Sequence, residues 1–378
     1  MKVLEFIRNN PDWETILAGA PYYIKATWDG DYVLLKYSQL ESDFNNEIVR
    51  ECRGCIFYIP NKDVEWADIV CYPFEKFGNY GESYVPEIDW NTASVLEKVD
   101  GSLIKVWHHM GEWHVSTNGT IDARNASTQV EGVSFYDVFM RVLEKNGNPQ
   151  LFFDALDPWY TYMFELVSPS TRVTIAYPDD AIYYLSARNI STFEEIPVPW
   201  LCAGSDLTYF INLPKQYALH SLESCIDAAN AMSKDEEGFV VCDSHFNRVK
   251  VKSPEYLIAS KLRNNNAVTV RNVLVMLREE KLDDFLAYAP DYQGFVDDVL
   301  LSYKRIAQAC EMWYLDIFSA MHHEPNKDKP LHEIVSTIPH AFQDYCYKRF
   351  NNKISNPYDY LNTLTLGRLV DWVKEYTG

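Results

Sequence analysis

The sequence predicts an α+β protein, with antiparallel sheets flanked by helices and then an all-helical C-terminal domain. Two observations carry this. From about residue 20 to 253, short runs of β-branched and aromatic residues alternate with polar ones between turn signals. After Pro254 the apolar residues step by three and four instead. The boundary is therefore set at 254, giving units 1–254 and 255–378.

Tyr22 to Trp28 and Tyr32 to Tyr37 flank Asp29-Gly30, a hairpin signal of the type I′ class. Further strands are expected at Ser94 to Lys98, Leu103 to Trp107, Trp113 to Thr117 and Tyr160 to Leu166. Three more follow at Ile182 to Ala187, Phe239 to Cys242 and Arg248 to Lys252. A helix should run from Phe135 to Lys145, with Ser134 as its N-cap and Asn146-Gly147 as its stop. A second spans about Ser221 to Met232. Beyond Pro254, helices are expected over Val270 to Phe285 and Pro357 to Tyr376. Between them Phe295, Val299, Tyr303, Ile306, Cys310 and Trp313 form an amphipathic stripe.

A chain of 378 residues with 47% apolar and 15% aromatic content can bury a sizeable core. No segment approaches the ~20 apolar residues that span a bilayer, and Met1-Lys-Val-Leu-Glu-Phe-Ile-Arg lacks a signal-peptide core. A cytoplasmic protein without a membrane partner is expected, as a monomer. Of eight cysteines only Cys52 and Cys55 form a C-x-x-C pair, so structural zinc is not expected. The net charge of −20 argues against a broad nucleic-acid-coating surface. A nucleic-acid substrate would need one local basic cleft.

The chemistry concentrates around Lys98-Val99-Asp100-Gly101-Ser102, a lysine closing one strand before a tight Asp-Gly turn. Alone, this is most simply a hairpin with a solvated lysine. Its surroundings change the reading. Glu165 lies between Phe164 and Leu166, Glu237 directly precedes Gly238-Phe-Val-Val, and Lys250-Val251-Lys252 puts two ammonium groups on one strand face. Glu51-Cys-Arg53-Gly and Glu75-Lys76-Phe77 add charges beside apolar sequence. A polyphosphate site needs this inventory. An amine nucleophile must be neutral although free lysine titrates near ~10.4, and neighbouring cations and desolvation would lower that value. The same cations would neutralise a triphosphate, and a carboxylate such as Glu237 would hold a hard divalent ion.

These residues resemble the covalent nucleotidyltransferases, the ATP-dependent ligases and mRNA capping enzymes. Lys98-Val-Asp-Gly-Ser looks like their motif I, Phe164-Glu165-Leu166 motif III, Glu237-Gly-Phe-Val240-Val motif IV, and Lys250-Val-Lys252 motif V. Within that group the sequence is similar to phage tRNA-repair RNA ligases of the RNA ligase 1 type. Glu51-Cys-Arg-Gly, Pro73-Phe-Glu-Lys-Phe and Phe164-Glu-Leu-Val-Ser-Pro-Ser-Thr-Arg carry that likeness.

The resemblance implies a nucleotidyltransferase domain whose Lys98 takes AMP from ATP, with magnesium or manganese as the metal. Asp100, Glu237, Lys250 and Lys252 would join Lys98 in catalysis, with Glu237 as the metal anchor. Glu165 would bind the ribose, and Arg53 and Lys76 would clamp the outer phosphates. Glu97, Gly101, Ser102, Asn118 and Val240 would complete the nucleotide site, with adenine stacked on Tyr183 or Tyr184. The partner implied is RNA with 5′-phosphate and 3′-hydroxyl ends, tRNA among the candidates. One departure is Asn118, in Ser116-Thr-Asn-Gly-Thr120, where the group commonly carries a basic residue. A DNA ligase or a GTP-using capping enzyme would normally append a β-rich barrel after motif V, against the helical pattern here. A ligase-derived RNA-binding protein with a dead site is the non-enzymatic rival, and the intact lysines and glutamates count against it.

Overall fold

Three antiparallel sheets organise the first of two compact units, Met1–Ser260, and helices make up the described part of the second, Lys261–Gly378. The computed structural model describes residues 1–39, 41–196, 206–256, 268–278, 280–288, 290–322 and 330–376.

The first sheet has the order β1-β2-β3-β4, from Ile24–Asp29, Tyr32–Tyr37, Arg53–Tyr58 and Asp68–Cys71, with the short helix α3 (Glu47–Glu51) leading into β3. Asp29 pairs with Tyr32, so Gly30-Asp31 forms the two-residue loop, one position later than expected. Gly30 takes the φ of +58° that such a turn requires. β2 reads as a nearly continuous apolar run because both of its faces are covered. Val33 and Leu35 pack on helices α1 (Lys2–Asn9) and α2 (Trp13–Ala18), through Val3, Ile7, Trp13 and Leu17. Leu34 packs the other way, with Ile56, Cys71 and Trp107.

The second sheet runs β10-β9-β8-β6-β7, from Glu195–Ile196, Ala181–Asn189, Tyr160–Val167, Ser102–His109 and Glu112–Thr117. Helix α4 (Phe135–Asn146) lies on it, started by a capping box between Ser134 and Asp137 and ended at Gly147. Its Phe139, Val142 and Leu143 meet Ile104, Phe164 and Tyr184 in one apolar cluster. Each fully buried side chain of this size stabilises by about 1.5–3 kcal/mol. The third sheet, β11-β5-β12-β13, uses Gln216–Tyr217, Ser94–Glu97, Gly238–Cys242 and Arg248–Lys252. After the short helix α5 (Pro149–Asp154), α6 (Leu222–Asn230) covers one face of this sheet through Cys225 and Ala229.

In the second unit α7 (Val270–Arg278) and α8 (Leu282–Tyr288) replace the single helix expected to Phe285, interrupted where Glu280 adopts φ +58°. The long α9 (Gln293–His322) buries Val299, Tyr303, Ile306 and Cys310, whereas Phe295 is exposed. α10 (Leu331–Val335) and α11 (His340–Phe350) follow. The expected span Pro357 to Tyr376 is two helices, α12 (Pro357–Thr363) and α13 (Leu366–Tyr376), separated by an extended Leu364. No helix among the described residues is long and apolar enough to cross a membrane. Cys52 and Cys55 are buried in the first core with free thiols.

Candidate active site

β5 stops one residue short of Lys98, whose amide donates to the Gly238 carbonyl at 2.9 Å. The chain then crosses through Val99-Asp100-Gly101 and enters β6 at Ser102, so Lys98 stands where the third sheet hands over to the second. The crossing is tight. Gly101 donates to Glu165 Oε1 at 3.1 Å, and a Cβ there would lie 2.5 Å from the Leu166 carbonyl oxygen. Only glycine fits that approach. Ser102 pairs with Leu166 and Leu103 with Glu165, which fixes Glu165 beside the lysine turn.

Asp100 is 1% exposed, and its carboxylate is held by the chain itself. Oδ1 accepts from the Tyr256 hydroxyl at 2.8 Å, and Oδ2 accepts from the amides of Thr174 at 2.8 Å and Ile175 at 2.7 Å. Burial, with the nearby Glu237 and Asp100 carboxylates, holds the Tyr256 phenol well above its ordinary value, so it stays a donor. This geometry braces the turn.

Glu237 joins the two lysines. Its Oε2 lies 2.8 Å from Lys98 Nζ and its Oε1 accepts from Lys252 Nζ at 2.9 Å. The Glu237 side chain is fully buried and that of Lys252 1% exposed, while Lys98 keeps 19% of its surface open. The ammonium groups thus share a carboxylate, where the sequence suggested cations acting on each other directly. Opposite residues of an antiparallel pair share a face. Val240 faces Leu96 and Lys250 and lies on the site side, whereas Phe239 and Val241 enter the core.

A second cluster forms around Phe77. The Lys250 ammonium lies 5.1 Å and the Arg53 guanidinium 5.4 Å from its ring centroid. Arg53 Nη1 and Asn118 Oδ1 are both buried without a hydrogen bond among the described residues. A Cβ on Gly54 would lie 3.2 Å from Asn118 Oδ1, so Asn118 abuts the Arg53-Gly54 segment.

One expectation is corrected. Tyr184 pairs with Phe164 and turns into the apolar core, 1% exposed; Tyr183, opposite Glu165 and half-buried, is the tyrosine on the site face. Glu97 pairs with Phe239, its carboxylate accepts from the Lys215 amide at 3.2 Å, and its charge acts on Tyr183 and Tyr177. Lys76 places its ammonium 4.5 Å from the Phe44 ring and 5.6 Å from that of Tyr37. It lines a cleft of about 730 Å³ with Phe77, Arg188 and Arg248. Residue-type patterns also missed Tyr256 and the buried Lys105. Arg248, which alternates with Lys250 and Lys252, was not singled out either.

The RNA ligase family model matches residues 51–256, more than half of the chain, and ends on the tyrosine that braces Asp100. The chain belongs to the RNA ligase family. An Autographa californica nuclear polyhedrosis virus protein named for polynucleotide kinase and RNA ligase activities is 30% identical, over 72% of this chain and 40% of its own. The chain therefore spans well under two thirds of that relative. An RNA ligase of Rhodothermus phage RM378 is 26% identical, over 71% of this chain and 72% of its own. Among solved structures, an archaeal ATP-dependent RNA ligase gives a TM-score of 0.44 at 14% identity, covering 89% of this chain and 77% of that one. The carboxylate beside Lys98, Glu237, is the hard oxygen donor this family member offers a divalent ion there. No group of three or more His, Cys, Asp or Glu gathers among the described residues. Such an ion would rest on Glu237, with water and substrate phosphate filling its remaining positions, as magnesium commonly does.

Proposed function

We propose that this chain is an ATP-dependent RNA ligase that joins 5′-phosphate and 3′-hydroxyl ends through AMP carried on Lys98. The observation supporting this most directly is the Lys98–Glu237–Lys252 triad, an accessible amine against a buried carboxylate backed by a buried ammonium. Lys98 Nζ gives up a proton, for which Glu237 Oε2 at 2.8 Å is a placed acceptor. The nitrogen then forms a bond to the α-phosphorus of ATP as the bond to the β-phosphate oxygen breaks and pyrophosphate leaves. Lys252 is assigned to neutralise charge on the α-phosphate. Arg53 and Lys250, beside Phe77, are assigned to the outer phosphates, Glu165 to the ribose and Tyr183 to the adenine face. A bound divalent ion supplies charge neutralisation at the phosphates.

An RNA 5′-phosphate oxygen next attacks the lysyl-AMP phosphorus, freeing Lys98 and giving a 5′-adenylated RNA. The 3′-hydroxyl of the second end attacks the RNA phosphorus, forming the phosphodiester and releasing AMP. Strand breaks with these ends, in tRNA or another RNA, make repair the role we assign. The units 1–254 and 255–378 are proposed to divide nucleotidyl transfer from RNA selection.

The test uses Lys98→Ala with labelled ATP. The variant is expected to lose self-labelling yet seal RNA supplied already adenylated. Normal self-labelling would remove Lys98 from the reaction. Labelling of the wild type by GTP alone would indicate a capping enzyme, and no labelling by either nucleotide a dead site.

A further inference from the structure

β3 opens with an irregularity, and a buried lysine sits beneath it. Across β2 and β3, Lys36 faces Arg53 and Leu35 faces Cys55, which leaves Gly54 as an extra residue with no partner opposite. Such a bulge turns the adjoining side chain away from its regular direction. Gly54 has φ +78°, and a Cβ there would stand 2.7 Å from the Asn118 carbonyl oxygen. Its own carbonyl accepts a hydrogen bond from Lys105 Nζ.

Lys105 lies on β6 opposite Ser116 and is 0% exposed. Lysines are almost never buried to that degree unless paired. The Gly54 carbonyl is the sole hydrogen-bond partner of Lys105 among the described residues. Burial pushes its proton affinity down; the Cys71 and Cys55 thiols oppose this, and the charges of Lys36 and Arg53 add to it. An apolar side chain would suit the neighbouring Ile56, Cys71 and Trp107 but would leave that carbonyl without its donor.

We propose that Lys105 is a positioning residue for the nucleotide step. By tying off the Gly54 carbonyl, it fixes the bulge that directs Arg53 toward Phe77 beside Lys250. It thereby sets the grip on the outer phosphates of ATP without touching the nucleotide. This rests on the assignment of Arg53 to those phosphates.

The experiment follows self-adenylylation against ATP concentration, and in parallel the sealing of pre-adenylated RNA. It compares wild type, Lys105→Met, Lys105→Gln, Arg53→Ala and the Arg53→Ala/Lys105→Met double variant. Lys105→Met should raise KM for ATP about tenfold or more, with kcat and pre-adenylated sealing within about threefold. Lys105→Gln, which keeps a donor, should regain a large part of the loss. The double variant should be no worse than Arg53→Ala. An unchanged KM in Lys105→Met, where Arg53→Ala raises it, overturns the positioning role alone. Equal loss of ATP use and pre-adenylated sealing in both Lys105 variants also overturns it, since Lys105 would then merely support the fold. An unchanged KM in Arg53→Ala overturns both this role and the clamp beneath it.

Discussion

Replacing Glu237 with Gln removes one charge from a site where two ammonium groups share it, and the two depend on it unequally. Lys252 is 1% exposed and has little access to water, whereas Lys98, 19% exposed, can turn its head toward solvent. Removing one partner of a buried ion pair costs about 3–5 kcal/mol, because the remaining charge is stranded. At roughly 2–4 °C per kcal/mol for a unit of this size, Glu237→Gln should lower the unfolding midpoint by about 6–20 °C. Lys252→Met leaves the carboxylate still paired with Lys98 at 2.8 Å and should cost less than Glu237→Gln. The double variant leaves only Lys98, so its stability should return to within about 1–2 kcal/mol of wild type. Self-adenylylation should stay lost in the double variant despite that recovery, which separates the chemistry from folding. Scanning calorimetry gives the midpoints and labelled ATP the activity. A double variant as unstable as the two single losses added together would show that the pair is not coupled, and the reasoning would fail.

The tyrosine assignment predicts an asymmetry. Tyr183→Ala should weaken ATP by roughly five- to 150-fold, the about 1–3 kcal/mol of a base stacked on a ring, while Tyr184→Phe leaves ATP affinity unchanged; titration of both with ATP decides it. Glu195 is gripped by Arg248 through both oxygens and by Arg188. Burial would raise its carboxyl, but the two guanidinium groups prevail and hold it below its ordinary value of 4.5. Its stabilisation is therefore complete above that value and fades as pH falls through the lower folded one. Urea unfolding should show Glu195→Gln about 3–5 kcal/mol weaker than wild type at neutral pH, with the gap closing in acid; a constant gap would refute the linkage. The Cys71 thiol, pushed by burial up to about 11, should resist alkylation of the native protein at pH 8. Modification there at the rate of a free thiol would contradict its burial.

Much of the site could be read from residue order because local signals and chemistry coincide there. The strand leading to Lys98, the Asp-Gly crossing and the alternation of Lys250 and Lys252 each follow from period two and turn chemistry. What remained hidden needed tertiary context. Two adjacent tyrosines cannot be told apart by residue type, and the β8–β9 register shifts between Met163 and Phe164, so counting along β8 does not settle their facing. Lys105 reads as a polar position on an exposed strand face, yet the first sheet covers that face through Ile56 and Cys71. Strands β3 and β4 escaped because β3 follows directly on the helix Glu47–Glu51 and β4 has only four residues. Within the helical unit, the stops at Glu280 and Leu364 carry no glycine or proline at those positions, and the apolar spacing continues across them.

The bracing of Asp100 bears on where this chain can be divided. Tyr256 lies two residues past the point at which the strand-rich sequence gives way to the helical one, yet its hydroxyl reaches back 156 positions to the turn after Lys98. A fragment trimmed at residue 254 would keep each assigned catalytic side chain and discard one of the groups steadying that turn. Isolated pieces meant to report on nucleotide transfer should therefore carry the tyrosine with them.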